Sequence, residues 1–249
     1  MRVRAVTVDL WGTLLIDPPG SDNRYKRRRM ADFEAILAGA GVKATPVALD
    51  RAYEDSGTYL GRLWSKNKDV ACREHVRAIL AALDRHLPAR LSEDTMTALE
   101  RAYAEPAQLV PPTIDTGARA ALERLRADGV VLALVSNTMR TPGSSLRKVL
   151  DRFGVLACFA HLTFSDEVGI RKPDPEIFAL TLRALGIEPA AAVHVGDDAV
   201  LDVHGARAAG LRTIQVTTAS LKALGAQRPD AVLANLSTLP QVVSQLTAG

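Results

Sequence analysis

Three carboxylates and one lysine stand out as groups that could do chemistry together. Asp9 opens the run Asp9-Leu10-Trp11-Gly12-Thr13-Leu14. A carboxylate at a strand tip followed by Gly-Thr can act as a nucleophile while backbone N–H groups receive an anion. The same residues also describe a strand capped by a turn. Ser136-Asn137-Thr138 follow an apolar run, and a hydroxyl there can donate to a phosphoryl oxygen. Lys172 lies in Gly169-Ile170-Arg171-Lys172-Pro173-Asp174-Pro175-Glu176. Asp174 suits a helix N-cap and Pro175 the first helical position, so Lys172 falls just outside a helix start, where anions are favoured. Its ammonium could neutralise a phosphoryl group and hold a nucleophilic carboxylate ionised. The last segment is His194-Val195-Gly196-Asp197-Asp198, with Asp202 beyond it. Clustered carboxylates repel one another unless a cation compensates them, and Mg²⁺ is the natural one, being hard and satisfied by few carboxylates plus other oxygens. The alternative is an acid-rich helix start that favours the dipole.

The elements that must position these groups follow from periodicity. Residues 4–8 alternate and are β-branched, reading as a strand that ends at Asp9. From about 21 to 105 the pattern is helical: Met30, Phe33, Ile36 and Leu37 recur on one face, and further helices are expected around 47–53, 70–83 and 92–103. Pro111-Pro112 close this stretch. Helix and strand then alternate, with helices over 117–127, 175–185, 200–209 and 240–246, and strands over 130–135, 191–195, 211–216 and 231–236, plus a short apolar segment before Ser165. The continuous apolar run at 130–135 indicates a strand covered on both faces. The fold class expected is α/β, a doubly wound parallel sheet. In such sheets ligands sit beyond the carboxyl ends of the strands, where all four segments fall.

Composition narrows the function further. The 249 residues are 47% hydrophobic, 24% charged and 4% aromatic, with a net charge of +3. That balance suits a small anionic substrate and argues against nucleic acid, which would need a basic surface or base-stacking aromatics. Two cysteines, Cys72 and Cys158, provide neither a disulfide framework nor a zinc ligand set. The amino terminus has arginines before an apolar run, but Asp9 interrupts it and no small-residue cleavage site follows. No stretch approaches the roughly 18–20 apolar residues of a membrane span. A cytoplasmic protein with no membrane partner is expected.

The order Asp-x-x-Gly-Thr, Ser, Lys-Pro-Asp-Pro and Gly-Asp-Asp-x-x-x-Asp resembles the four motifs of the haloacid dehalogenase (HAD) superfamily, and the likeness extends over the whole chain. The helical stretch is similar to the cap that those enzymes insert between the first and second motifs. The resemblance implies a HAD-like Rossmannoid core over 1–16 and 112–249, a helical cap domain over 17–111, and a hydrolase with Mg²⁺, most simply a phosphatase of a small phosphorylated metabolite. It implies that Asp9 attacks the substrate and forms a covalent aspartyl intermediate. Thr13 and Ser136 would bind the oxygens of the transferring group, and Lys172 would orient and neutralise it. Asp9, Asp197 and the main-chain carbonyl of Trp11 would hold Mg²⁺, with Asp202 supporting. Asn137 and the Trp11 side chain would line the substrate site; Asp198 matches no obligatory position of the pattern and is left as a candidate outer supporting group.

One position departs from the pattern. Phosphatases of the superfamily carry a second aspartate two residues after the nucleophile, as general acid and base; here it is Trp11. An indole offers one N–H donor and cannot accept a proton at neutral pH, and such catalysis is worth about 10²–10⁴-fold. An aromatic residue there also resembles the 2-haloacid dehalogenase branch, whose members use no metal and lack an acidic pair like Asp197 and Asp202. A carbon-centred hydrolase of that kind, and a catalytically weak binding or regulatory protein, are the alternatives. The run Arg24-Tyr25-Lys26-Arg27-Arg28-Arg29 reads as a solvated helix start, in which Lys26 and Arg29 share the side of Phe33 and could face the core domain. His194 is expected to be packed in a strand and His204 to sit on a helix.

Overall fold

The computed structural model describes residues 2–217 and 228–248. The chain begins with β1 (Ala5–Val8), all of whose side chains are buried, and a two-residue strand β2 (Leu15–Ile16). Six helices follow: α1 (Ser21–Gly39), α2 (Pro46–Trp64), α3 (Cys72–Leu83), α4 (Leu87–Arg90), α5 (Glu93–Ala104) and α6 (Pro106–Leu109). Strand β3 (Thr113–Ile114) pairs antiparallel with β2, Leu15 opposite Ile114. The remainder runs α7 (Ala118–Ala127), β4 (Val131–Ser136), α8 (Gly143–Arg152), β5 (His161–Phe164), α9 (Ser165–Val168), α10 (Pro175–Leu185), β6 (Ala192–Gly196), a π-helical turn at Ala199–His204, α11 (Gly205–Ala208), β7 (Arg212–Val216), β8 (Ala231–Leu233) and α12 (Leu239–Ala248).

Strand order in the main sheet is β5-β4-β1-β6-β7-β8, with every neighbouring pair parallel. The doubly wound α/β expectation is therefore met. With β4 on one side and β6 on the other, β1 is central, and helices cover both faces, so its residues can all be apolar or internally bonded. One face packs Leu122, Leu125, Leu146, Val149 and Leu150 against Val6, Val8 and Leu134. The other packs Ile177, Phe178, Leu182 and Ala206 against Ala5 and Val135. Helices α1–α6 have a cluster of their own, built on Phe33, Leu37, Leu49, Val76, Ile79, Leu99 and Tyr103. No helix among the described residues is long and apolar enough to cross a membrane.

Several local features differ from the sequence expectation, among them the following four. Helix α8 was not anticipated: its N-cap residue, Pro142, offers no capping side chain, the Gly143 N–H being met instead by the distant Asp166, and it carries only Leu146, Val149 and Leu150 as large buried apolar groups. The β2–β3 ribbon is too short for periodicity to reveal. The helix expected over 200–209 opens as a π-helical turn, its Asp198 N-cap accepting from the Val200 and Leu201 N–H groups. The last strand stops at Leu233, and Asn235 caps a single 3₁₀ turn leading into α12.

Candidate active site

Parallel pairing with a shared register puts the carboxyl ends of β1, β4 and β6 side by side, so the residues after Val8, Val135 and Val195 converge. Asp9 is tied to this edge by its N–H donating to the Val195 carbonyl at 2.8 Å. The chain then turns sharply, with Leu14 and Leu15 N–H both returning to the Leu10 carbonyl. Gly12 is required in that turn. Its φ is +83°, and a Cβ there would lie 2.6 Å from Asp197 Oδ2. The loop after β1 therefore approaches the Asp197 carboxylate as closely as it does only because residue 12 has no side chain.

Lys172 reaches the same point from the other side. Asp174 caps α10 by accepting the Glu176 N–H, with Pro175 opening the helix. Asn137, after β4, holds the Lys172 backbone at both ends: Oδ1 accepts its N–H at 2.9 Å and Nδ2 donates to its carbonyl at 3.1 Å. The Asn137 amide, expected from the sequence at the substrate site, is engaged in fixing Lys172. The Lys172 ammonium donates to Asp9 Oδ1 and, at 2.6 Å, to Asp202 Oδ1. Burial alone would depress this ammonium, but the two carboxylates outweigh it and hold the pKa above its ordinary value. Lysine therefore stays charged beside the nucleophile candidate.

Asp202 is placed by the π-helical turn after β6. Its Oδ1 also meets His194 Nε2 at 3.0 Å and its Oδ2 accepts the Asp198 N–H at 2.9 Å. A Cβ on Gly196 would lie 2.2 Å from Asp202 Cγ, so this glycine makes room for the carboxylate to fold beneath the strand end. Burial opposes its charge, yet Lys172 and His194 hold Asp202 well below the usual carboxylate range. His194 is itself pushed down, chiefly by burial. A neutral ring in this setting donates from Nε2 to the carboxylate and accepts at Nδ1 from the Thr7 hydroxyl, 2.8 Å away. His194 is buried, as expected, and also orients Asp202.

Asp9 differs from Asp202. Burial pushes its carboxyl up to about 7, and the charges of Asp202 and Asp197 push the same way against Lys172. One ligand atom from each of Asp9, Asp197 and Asp202 lies within 4.8 Å of the others. A divalent cation there would offset the charges of Asp202 and Asp197 that raise Asp9 and restore it to its ionised, nucleophilic form. Both Asp202 oxygens already accept hydrogen bonds, which suits a supporting role. Around the acids, the Thr13 hydroxyl and the Trp11 indole N–H are buried without a hydrogen-bond partner among the described residues. The Ser136 hydroxyl has only a marginal contact, 3.5 Å to the Asn137 carbonyl. Buried donors rarely go unpaired, so these are suited to an oxyanion.

Beyond Trp11 lies a cleft of about 410 Å³ between the sheet edge and helices α1 and α2, lined by Trp11, Lys26, Arg29, Tyr53, Trp64 and Arg140 among others. Two further contacts join the helices to the core loops. Asp69 accepts from Arg171 Nη1 and Ser165 Oγ, each at 2.5 Å, and Lys68 bridges to Ile170. Neither Asp69 nor Arg140 was singled out from the sequence. Lys26 does not reach the core; it is paired with Asp50 and Glu54 on α2.

The model of the haloacid dehalogenase-like hydrolases matches residues 3–210. Among curated proteins, the chain is 40% identical to a phosphoserine phosphatase of Thermus thermophilus over 99 residues, which is 40% of this chain and 39% of that protein. It is 35% identical to a glyceraldehyde 3-phosphate phosphatase of Pyrococcus furiosus over 100 residues, 39% of this chain and 40% of that one. The matched region thus spans well under two thirds of either relative. Among solved structures, a 2-haloacid dehalogenase from Pseudomonas syringae pv. Tomato superposes with a TM-score of 0.68 at 25% identity, covering 98% of this chain and 99% of that one.

Proposed function

Because the chain belongs to the haloacid dehalogenase-like hydrolase family, we propose that it is a Mg²⁺-dependent phosphatase of a small phosphorylated metabolite, with Asp9 as nucleophile. The observation that carries this reading is the acidic corner of Asp9, Asp197 and Asp202, gathered within 4.8 Å around a single buried lysine. Asp9, Asp197 and the Trp11 carbonyl would hold the metal, and Asp202 would support them while fixing Lys172. When bound, Mg²⁺ supplies positive charge to the phosphoryl oxygens and to the Asp9 carboxylate.

The residues themselves account for the remaining steps. A carboxylate oxygen of Asp9 forms a bond to phosphorus as the ester P–O bond breaks, and the electron pair leaves with the alcohol oxygen. The departing alkoxide takes a proton from solvent; water then attacks phosphorus and gives up a proton to solvent as the bond from phosphorus to the Asp9 oxygen breaks, releasing orthophosphate and the carboxylate. Thr13 and Ser136 hydroxyls donate to the phosphoryl oxygens, and Lys172 offsets their charge. The Trp11 indole N–H can donate a hydrogen bond to the departing oxygen without transferring a proton. Residues 17–111 would act as the cap over the core formed by 1–16 and 112–249, excluding water from the site.

A dehalogenase reading is favoured by one observation, the aromatic residue at position 11. It gives no purpose to the crowding of Asp197 against Asp9, since displacement of halide from carbon needs no cation. The deciding experiment offers metal-stripped protein an aryl phosphate, an alkyl phosphate and 2-chloropropionate, with and without Mg²⁺. Phosphate release that needs Mg²⁺, is abolished by chelation and is weakened by Asp197→Ala is expected. Halide release by the stripped protein, with no phosphate ester turned over, would overturn the assignment.

A further inference from the structure

Three basic side chains are buried among the described residues: Arg29, Arg171 and Lys172. Arg171 is paired with Asp69, and Lys172 with Asp9 and Asp202. Arg29 is the exception. It is only 2% exposed, yet its donors meet neutral oxygens alone: Nε to the Tyr103 carbonyl at 2.8 Å, Nη1 to the Tyr53 hydroxyl at 3.2 Å, and Nη2 to the Arg140 carbonyl at 2.7 Å and Thr141 Oγ1 at 3.4 Å. Arg140, on the core loop it grips, has the same character. Its Nη1 donates to Ser56 Oγ at 3.2 Å, its Nη2 to the Tyr53 carbonyl at 3.1 Å, and its guanidinium lies 3.9 Å over the Tyr53 ring. Neutral acceptors satisfy N–H groups but do not cancel charge, so the buried Arg29 and the half-buried Arg140 beside it have no counter-ion among the described residues, as a buried cation ordinarily would.

Both line the cleft that begins at Trp11. The acids on its wall do not supply the missing charge. Glu54 is held by Lys26, Asp17 accepts from the Tyr25 hydroxyl, and neither these nor Asp22 lies within 4.0 Å of Arg29 or Arg140. We propose that Arg29 and Arg140 bind a second anionic group of the substrate, a carboxylate carried on the leaving group of the phosphate ester. This rests on the phosphatase reading for the ester but not for the anion. Arg140, with two of its five N–H groups engaged, keeps donors for a carboxylate, while Arg29, with four engaged, contributes mainly charge. Stacking of Arg140 on Tyr53 and of Arg29 over Tyr103, 4.7 Å from its ring centre, holds both forks in place before the ligand arrives. A cleft of about 410 Å³ accommodates a leaving group of a few carbons between this pair and the residue-11 side of the nucleophile.

The test compares Mg²⁺-loaded full-length protein on 3-phosphooxypropanoate and on its primary amide, equal in length but neutral at the tail. The carboxylate should be preferred by about 30-fold or more in kcat/KM, carried mainly by KM. Arg140→Gln should collapse that ratio, and Arg140→Lys should restore part of it. Arg140 is chosen because Arg29 also ties α1 to Tyr103, so its loss would disturb folding. A second readout needs no turnover: free glutarate should raise the melting temperature of the wild type but not of Arg140→Gln. Equal use of acid and amide by the wild type, or a ratio unchanged in Arg140→Gln, overturns the proposal. If no phosphate ester is turned over, the phosphatase reading fails separately. The glutarate shift then decides: its loss in the variant upholds the anion site, and its absence in the wild type or persistence in the variant refutes it.

Discussion

Asp69→Asn should destabilise the protein far more than an ordinary polar substitution, although the two side chains have nearly the same shape. The Asp69 side chain is fully buried against Arg171. One oxygen accepts from Ser165 and Arg171, and the other from the Trp64 indole at 3.1 Å and the Val70 N–H at 3.0 Å. Burial alone would raise its pKa, but His75, Arg171, Ser165 and Trp64 together hold it down at about 2. A carboxyl held there rather than near its ordinary value of about 4 contributes roughly 2 kcal/mol at neutral pH. Because the folded value is depressed, that contribution is present above about pH 4 and is lost as pH falls towards 2. Asparagine would also leave the Arg171 charge buried and alone, which raises the expected cost to about 3–5 kcal/mol. For a chain of this length each kcal/mol lowers the melting temperature by about 2–4 °C, so the variant should melt roughly 6–20 °C below the wild type. Circular dichroism melts at pH 7 measure this directly. The control is Asp69→Asn with Arg171→Met, in which neither charge remains: the double variant should recover much of the loss, with a coupling energy of about 2 kcal/mol or more. A single variant within about 0.5 kcal/mol of wild type, or a double variant equal to the sum of the singles, would refute the reasoning.

Asp9→Asn should abolish turnover, since an amide is a far poorer nucleophile than a carboxylate; activity that survives after mass spectrometry has excluded deamidation would contradict the covalent route. With Trp11 in place of an acid, aryl phosphates should be turned over faster than alkyl phosphates, because their leaving groups need no proton. Trp11→Asp should then speed the alkyl ester selectively, within about 10²–10⁴-fold; equal rates for both esters in the wild type and no gain in the variant would show that another group supplies the proton. Gly12→Ala should impair Mg²⁺ binding measured by calorimetry, since its Cβ would fall 2.6 Å from Asp197 Oδ2. Unaltered metal affinity would mean that Asp197 can move aside at no cost.

What the sequence revealed was local in the chain. Asp9, Ser136, Lys172 and Asp197 each follow or flank a short pattern that can be read within ten residues: alternation, a continuous apolar run, or an N-cap followed by proline. The parallel sheet followed from alternating element types, and its rule about strand ends brought four separate segments to one edge. What remained hidden depends on partners distant in sequence. Asp69 and Arg171 are 102 positions apart, and nothing near either one marks a buried pair. Arg140 reads as a polar loop residue until Arg29, 111 positions away, is seen to bond its carbonyl. Lys26 and Arg29 could not be separated by helical spacing; only the acids on α2 reveal that Lys26 is already neutralised. The hold of Asn137 on the Lys172 backbone could not be read either, because the two residues meet only in the fold.

The small β2–β3 ribbon has a consequence for how this molecule can diversify. The helices between Ile16 and Thr113 leave and re-enter the sheet side by side, because Ile16 pairs directly with Thr113. Their two ends are thus brought together by the ribbon itself, whatever lies between them. Loop-closure entropy grows slowly with length, about 0.6 kcal/mol per doubling, so the sheet is nearly indifferent to the size of the segment it carries there. The reactive corner and the surface that meets the rest of the ligand are therefore separable in evolution: an exchanged insert can bring new contacts while Asp9, Lys172 and the acids stay in register on their strands.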